Sequence, residues 1–228
     1  MSHATRSTAR RPSVSPAVVL ALCACGGSEP ATTPDPTSPP AATSAGPAGG
    51  EAGGCDDRLL DPNPAPATLH VLSPAFDDGG AIPQRYAFQG FGCTGDNASL
   101  PLAWENVPEG TESFAVVVHD PDAPTGVGFF HWIVLDLPPS VVALPEGAST
   151  LAEPPGVQGL NDYGGHTYGG PCPPPGDPPH RYIVTVYAVD VPSLGLDATT
   201  SGALARFNLG QHTLALGRLT GTYGRPVE

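Results

Sequence analysis

Carboxylates, imidazoles and a phenol gather at two places in this chain, each beside an apolar run rich in β-branched residues. The first is Asp120-Pro-Asp-Ala-Pro-Thr-Gly-Val-Gly-Phe-Phe-His-Trp-Ile-Val134. The second is Tyr168-Gly-Gly-Pro-Cys-Pro-Pro-Pro-Gly-Asp-Pro-Pro-His-Arg-Tyr-Ile-Val-Thr-Val-Tyr187. Asp120 and Asp122 flank a proline that fixes its own φ and keeps Asp120 out of the helical region. Carboxylates held this way can accept hydrogen bonds from a ligand hydroxyl or ammonium, or cap neighbouring backbone amides. If a strand starts at His180, then His180 and Tyr182 share one side and Arg181 faces the other. Gly169, Gly170, Pro171 and Pro173 to Pro175 build a stiff loop whose backbone N–H groups can cradle an anion. These groups together suggest a small preorganised pocket for a polar ligand, and they do not by themselves suggest an enzyme. Taken singly, each has a plainer reading: a rigid Asp-Pro turn, a core histidine at His131, a structural proline loop.

Catalytic alternatives fare poorly on spacing. The chain has no Gly-x-Ser-x-Gly elbow and no His-Glu-x-x-His. Pro171-Cys172 hints at a zinc deaminase, but position 175 is proline and no His-x-Glu precedes it. Asp120, Asp122, His131 and His180 could gather a metal, yet they lie on loops and strand ends scattered between positions 120 and 180. A metal-assisted hydrolase is therefore an alternative only. No metal and no cofactor are expected.

The elements that must position these groups are mostly strands. Residues 68–72 alternate apolar and polar, residues 100–104 form another candidate, and Pro108-Glu-Gly makes the turn after it. Residues 114–118 are continuously apolar, the pattern of a strand covered on both faces, and residues 132–137 and 182–189 follow the same logic. A last strand is expected over 212–223, with Gly217 and Gly221 allowing a bend or bulge. Thr200-Ser201 can cap a short helix through Phe207, ending near Gly210. No long amphipathic crossover separates the strands, so the expected fold is mainly β: a two-sheet antiparallel sandwich with short peripheral helices.

The 228 residues fit one domain plus appendages. Arg6, Arg10 and Arg11, then an apolar stretch at 16–24, read as a secretion signal too short to span a bilayer permanently. Leu22-Cys-Ala-Cys-Gly-Gly resembles a bacterial lipobox, which would make Cys25 the lipidated residue; ordinary cleavage, or no export, is the alternative. Residues 26–54 contain no Leu, Ile, Val, Phe, Tyr or Trp, so they cannot bury enough apolar surface to offset their ordering entropy. We therefore divide the chain into a signal peptide at 1–24, a Pro/Gly/Ala/Thr tether at 25–66 and a globular domain at 67–228. The chain would then be exported and lipid-anchored to a bacterial envelope, in contact with the membrane only through that anchor.

The net charge is −13, and all nine basic residues are arginine. Three of them fall in the signal, leaving six against all 22 acids. So acidic a chain repels phosphate backbones, and nucleic-acid binding is not expected. A bound anion would have to be held by local geometry against the overall field. Export permits a disulfide. Cys93 and Cys172 are the favoured pair, on loops expected near the pocket, with Cys55 left over; three reduced cysteines are the alternative.

The motifs in combination resemble the phosphatidylethanolamine-binding protein family, in particular its bacterial Raf-kinase-inhibitor-like branch. They include Phe91-Gly-Cys-Thr-Gly-Asp-Asn-Ala-Ser, Trp104, Val107-Pro-Glu-Gly, Asp120-Pro-Asp-Ala-Pro-Thr-Gly, His131-Trp132, Val157-Gln-Gly-Leu-Asn-Asp-Tyr, Tyr168-Gly-Gly-Pro-Cys-Pro-Pro-Pro-Gly, His180-Arg-Tyr and Leu219-Thr-Gly-Thr-Tyr-Gly-Arg. The resemblance covers residues 68–225 and departs from the family at Leu100, where a proline is common. It implies two antiparallel sheets with a pocket at one end for phosphate-type anions and phosphorylated head groups. Carried over, Asp120, Asp122, His131, Gly170, Pro171, Cys172, Pro173, His180 and Tyr182 would line it. Imidazoles and backbone amides would donate to the anion, and Asp120 would orient one imidazole. The implied role is a non-enzymatic binding or regulatory protein. The alternative is an inhibitor of an envelope protease or other protein partner, acting through a surface loop such as 148–156.

Overall fold

The computed structural model describes residues 69–227. The β-branched and aromatic runs become strands β1 His70–Leu72, β2 Gln89–Gly90, β3 Cys93–Thr94, β4 Leu102–Glu105, β5 Ser113–Asp120, β6 Phe129–Leu137, β7 Ala143–Leu144, β8 Val157–Gln158, β9 His180–Val189 and β10 Thr213–Tyr223. One α-helix, α1 (Gly202–His212), connects the last two, and single 3-10 turns form at Gln84–Tyr86 and Ala148–Thr150. The described chain is thus mainly β. Its strands pair antiparallel in a five-stranded sheet of order β10-β9-β5-β6-β8, a three-stranded sheet β1-β4-β7 and the hairpin β2-β3. The hairpin is an addition to the two sheets expected. The expected signal, the tether, Cys25 and Cys55 lie outside the described residues.

All eight residues of β5 are buried, because both faces of this central strand are covered. On one face Phe114, Val116 and Val118 join Trp132, Val134, Val184 and Val186, together with Val71, Leu102, Trp104 and Leu144 from the three-stranded sheet. On the other, Ala115 and Val117 pack with Ile133, Leu135, Val189 and the helix residues Ala205 and Leu209. Leu100, the departure from the family pattern, is fully buried in the first of these clusters, so its side chain adds to the core.

Two local expectations change. The helix does not stop near Gly210; it is capped by Ser201, which accepts from the Leu204 amide, and runs to His212. Thr213 then donates its hydroxyl to the Leu209 carbonyl, satisfying one C-terminal acceptor as the chain enters β10. Gly217 and Gly221 are not bulges. A Cβ at Gly217 would lie 2.3 Å from the Leu69 carbonyl oxygen and one at Gly221 2.5 Å from Ile82, so both mark close approach of neighbouring chain. The irregularity in β10 falls instead between Thr213 and Ala215.

Strand direction brings the chemistry together. β5 ends at Asp120, while its two neighbours β6 and β9, both antiparallel to it, begin at Phe129 and His180. Asp120 pairs with Phe129, and His119 pairs with Ile183. The polar residues just outside three apolar strands therefore meet at one end of the sheet.

Candidate functional site

At this end lies a cavity of about 340 Å³. Asp120, His131, Cys172, Pro173, His180 and Tyr182, all expected to share one recess, line it together. Asp120 is nearly fully buried and fully engaged. Its Oδ1 accepts the amides of Asp122 (2.8 Å) and Ala123 (3.1 Å), the consequence of the Pro121 turn, and its Oδ2 accepts His180 Nδ1 at 2.8 Å. That bond fixes the orientation of the His180 ring and puts a proton on Nδ1. The other nitrogen, Nε2, lies 3.6 Å from Asp177 Oδ2.

His131 is held differently. Its Nδ1 lies 2.7 Å from the Gly169 carbonyl oxygen and so must be the protonated nitrogen, while the Gly169 amide returns a bond to the His131 carbonyl at 3.0 Å. Nε2 is buried without a hydrogen-bond partner. The ring packs edge-on against Tyr182, centroids 5.1 Å apart, and against Tyr163. Burial in this aromatic setting lowers the His131 pKa from 6.5 to about 4, outweighing the Gly169 bond. The Tyr182 hydroxyl is likewise buried, facing the Asp120 carboxylate without a hydrogen bond of good geometry. Burial, and then the nearby Asp120 charge, raise its pKa far above the ordinary phenol value, so it stays a donor.

Three residues expected at the recess are not among those lining it. Asp122 forms a two-pronged ion pair with Arg181, Oδ1 to Nη2 at 2.7 Å and Oδ2 to Nε at 2.9 Å, and also accepts the Arg181 amide. Those hydrogen bonds hold its carboxyl below the usual range. Because β9 alternates, Arg181 faces away from His180 and Tyr182 and takes Asp122 with it. Gly170 is pressed against the Tyr86 carbonyl, 2.1 Å from where a Cβ would sit, and its amide donates to Asn97 Oδ1. Pro171 is tied by its carbonyl to the Phe88 amide. The loop also offers few amides to an anion: prolines carry none, and those of Gly169 and Gly170 are already engaged.

The structure adds wall residues that sequence reasoning did not single out. Tyr163 donates its hydroxyl to the Gly170 carbonyl at 2.9 Å and stacks on Phe88, centroids 4.1 Å apart. Phe91, 79% exposed, stands at the mouth, carried there by the β2–β3 turn in which Phe91 and Gly92 both have positive φ. Phe129, Ala123, Pro124 and Thr125 complete that side, and Asp162 lines the cavity while accepting the Phe130 amide at 2.7 Å. The available signal was Asn161-Asp-Tyr-Gly-Gly, a turn closed by Asn161 on the Gly165 amide. Cys172 is joined to Cys93 by a disulfide with the Cα atoms 5.9 Å apart, fastening the proline-rich wall to β3. Among the described residues no group of three or more His, Cys, Asp or Glu is placed to hold a metal ion.

A mainly β protein with a buried Asp–His pair and a second, half-engaged histidine at the end of its largest sheet defines the class. The chain belongs to the phosphatidylethanolamine-binding protein family, whose sequence profile matches residues 72–224. It is 42% identical over 161 residues to the UPF0098 protein YbcL of Escherichia coli K12, covering 69% of this chain and 88% of that one. It is 43% identical over 158 residues to YbhB of the same organism, covering 68% and 99%. The crystal structure of E. coli YbcL, a member of the mammalian PEBP family, superimposes with a TM-score of 0.67 over 69% of this chain and 99% of that one. A homologue from Chlamydia trachomatis D/UW-3/CX, 36% identical, gives 0.59 over 68% and 97%.

Proposed function

We propose that this protein is a non-enzymatic binding or regulatory module whose sheet-end cavity receives phosphate or a phosphorylated head group. In this reading the two larger sheets act as a sandwich that holds the cavity rigid at one end. The observation that carries it is the convergence of Asp120, His131, His180 and Tyr182, brought from three strands, on one cavity at the end of the sheet. The Asp120 carboxylate already holds the His180 ring in one orientation, so a ligand meets an imidazole that needs no further ordering. The volume suits a small head group. The Cys93–Cys172 disulfide supports the further reading that the chain is exported, and the lipobox-like Leu22-Cys-Ala-Cys-Gly-Gly is what supports tethering to the envelope.

The test is thermal unfolding near pH 6 with millimolar inorganic phosphate or phosphoethanolamine. Each is expected to raise Tm, since ligand at about 100 times its Kd stabilises the native state by ~2.7 kcal/mol. His180→Ala should remove the shift, because the ring that Asp120 orients is gone. Absence of any shift with either compound refutes the reading. Inhibition of a protein partner through residues 148–156 has less to stand on: Ala148 and Ser149 are buried, and only residues 150–153 are exposed.

A further inference from the structure

The disulfide on one side of the cavity is placed differently from a core staple. Neither Cys93 nor Cys172 belongs to either apolar cluster, so both cores stand without the bond. Its two sulfurs also differ in access. Cys93 is only 8% exposed, whereas Cys172 is partly exposed and lines the cavity. What the bond holds is small. β2 and β3, two residues each, pair only with one another, and the turn between them carries Phe91 to the mouth. A lone two-stranded hairpin is marginal in water and depends on its attachments.

The other ties are single hydrogen bonds and a ring stack. Gln84 donates to the Thr94 hydroxyl, the Phe88 amide donates to the Pro171 carbonyl, and Phe88 and Phe91 stack on Tyr163. Arg225, just beyond β10, donates to the carbonyl oxygens of Gly92 at 3.0 Å and of Phe91 and Pro173 at 3.4 Å. Its Nη1 also lies 3.8 Å from Cys172 Sγ. An attacking thiolate is an anion, and the Asp120 and Asp162 carboxylates that line the cavity repel it. The guanidinium beside the sulfur favours both its arrival and the Cys172 thiolate formed later, a full charge set against the dipole of the Gly90 carbonyl 3.6 Å away.

We propose that Cys93–Cys172 is a site of reversible thiol–disulfide exchange, attacked at Cys172 Sγ by a dithiol, and that its redox state decides whether the Phe91 hairpin is clamped to the cavity wall. This holds whatever the cavity binds. One thiolate of the dithiol bonds to Cys172 Sγ as the S–S bond breaks, and Cys93 leaves as a thiolate that takes up a proton. The second thiol, once deprotonated, attacks the mixed disulfide and releases Cys172. Two electrons and two protons pass to the protein, and the dithiol becomes a disulfide. Oxidised, the hairpin and the wall move as one body. Reduced, they are joined only by the weaker ties, and that side of the cavity loosens while the five-stranded sheet stays intact.

The test places the full chain in millimolar dithiothreitol at neutral pH without denaturant, then reads it by alkylation, peptide mass spectrometry and amide hydrogen exchange. Cys93 and Cys172 are expected to be reduced while the protein stays folded. Exchange of the 88–95 amides should rise at least about tenfold, exchange in β5, β6 and β9 should stay as it was, and reoxidation should restore the slow rate. If the bond yields only when denaturant unfolds the chain, it is a structural staple and the proposal fails. Reduction with unchanged exchange at 88–95 also overturns it, as does an equal rise throughout the fold.

Limiting glutathione, quenched in acid, identifies the attacked sulfur. A mixed disulfide on Cys172 with Cys93 free is expected, and trapping on Cys93 overturns the assignment. Cys93→Ser with Cys172→Ser should show the fast 88–95 exchange with or without dithiothreitol; slow exchange there, or a rate that still responds to the reductant, refutes the switch. The unaltered protein decides alone if that variant does not fold.

Discussion

His131 shows how one buried side chain makes the stability of the whole protein depend on pH. Its pKa is lowered in the folded state, so between about 4 and 6.5 the unfolded chain binds the proton and the native one does not. Stability therefore falls as pH drops through that window and is unaffected by this group above it. A shift of this size corresponds to ~3 kcal/mol across the window. Urea midpoints from pH 8 to pH 4 should fall in the wild type and fall less in His131→Gln. Parallel profiles would show that His131 takes up its proton without penalty in the fold. Asp122, whose carboxyl is lowered mainly by the Arg181 hydrogen bond, acts in the same direction further into acid.

At the scale of elements, the five-stranded sheet needs α1 to cover its second face, and the helix has two identifiable points of attachment. Ser201 caps its first turn, and Gly202 sits against the Phe130 ring, where a Cβ would lie 2.2 Å from a ring carbon. Phe130 belongs to β6 one residue before His131, so the helix seat and the cavity share a strand. Ser201→Ala should cost about 1 kcal/mol, the usual value of a lost N-cap. Gly202→Ala should cost about 1–3 kcal/mol, because the ring cannot retreat into a close-packed core. Chemical denaturation measures both. A glycine replacement as mild as the cap loss would mean that the helix shifts outward to make room.

For the whole molecule, the disulfide is the longest covalent constraint within the described fold. It joins residues 79 positions apart and ties the proline-rich cavity wall to the β2–β3 hairpin that carries Phe91. Closing a loop of that length removes unfolded-state entropy worth about 4 kcal/mol on the chain-entropy account. Cys93→Ser with Cys172→Ser should lower the unfolding free energy by about that amount and weaken phosphate binding, since Cys172 is part of the wall. If stability drops while affinity is unchanged, the wall is held by its backbone bonds, Phe88 amide to Pro171 and Tyr163 hydroxyl to Gly170, without needing the covalent tie.

The amino-acid order by itself determined the strands and the meeting of chemistry with strand ends. Continuous β-branched runs at 114–118, 132–137 and 182–189 mark buried strands because side-chain period and apolarity are local properties. The alternation at 180–182 likewise separated Arg181 from His180 and Tyr182. Tertiary structure decided which polar groups remained available. Asp122 left the recess because Arg181 on the next strand claimed it, and the Gly169 and Gly170 amides were consumed by β6 and by Asn97. Asp162, Tyr163 and Phe91 entered the wall through remote contacts: Asp162 accepts the Phe130 amide, Tyr163 stacks on Phe88, and the Cys93–Cys172 disulfide draws the turn carrying Phe91 against the 168–172 loop. A hydrogen bond between remote segments leaves no period in the sequence. The partner that consumes or spares a donor is known only once antiparallel pairing has fixed which strand ends meet.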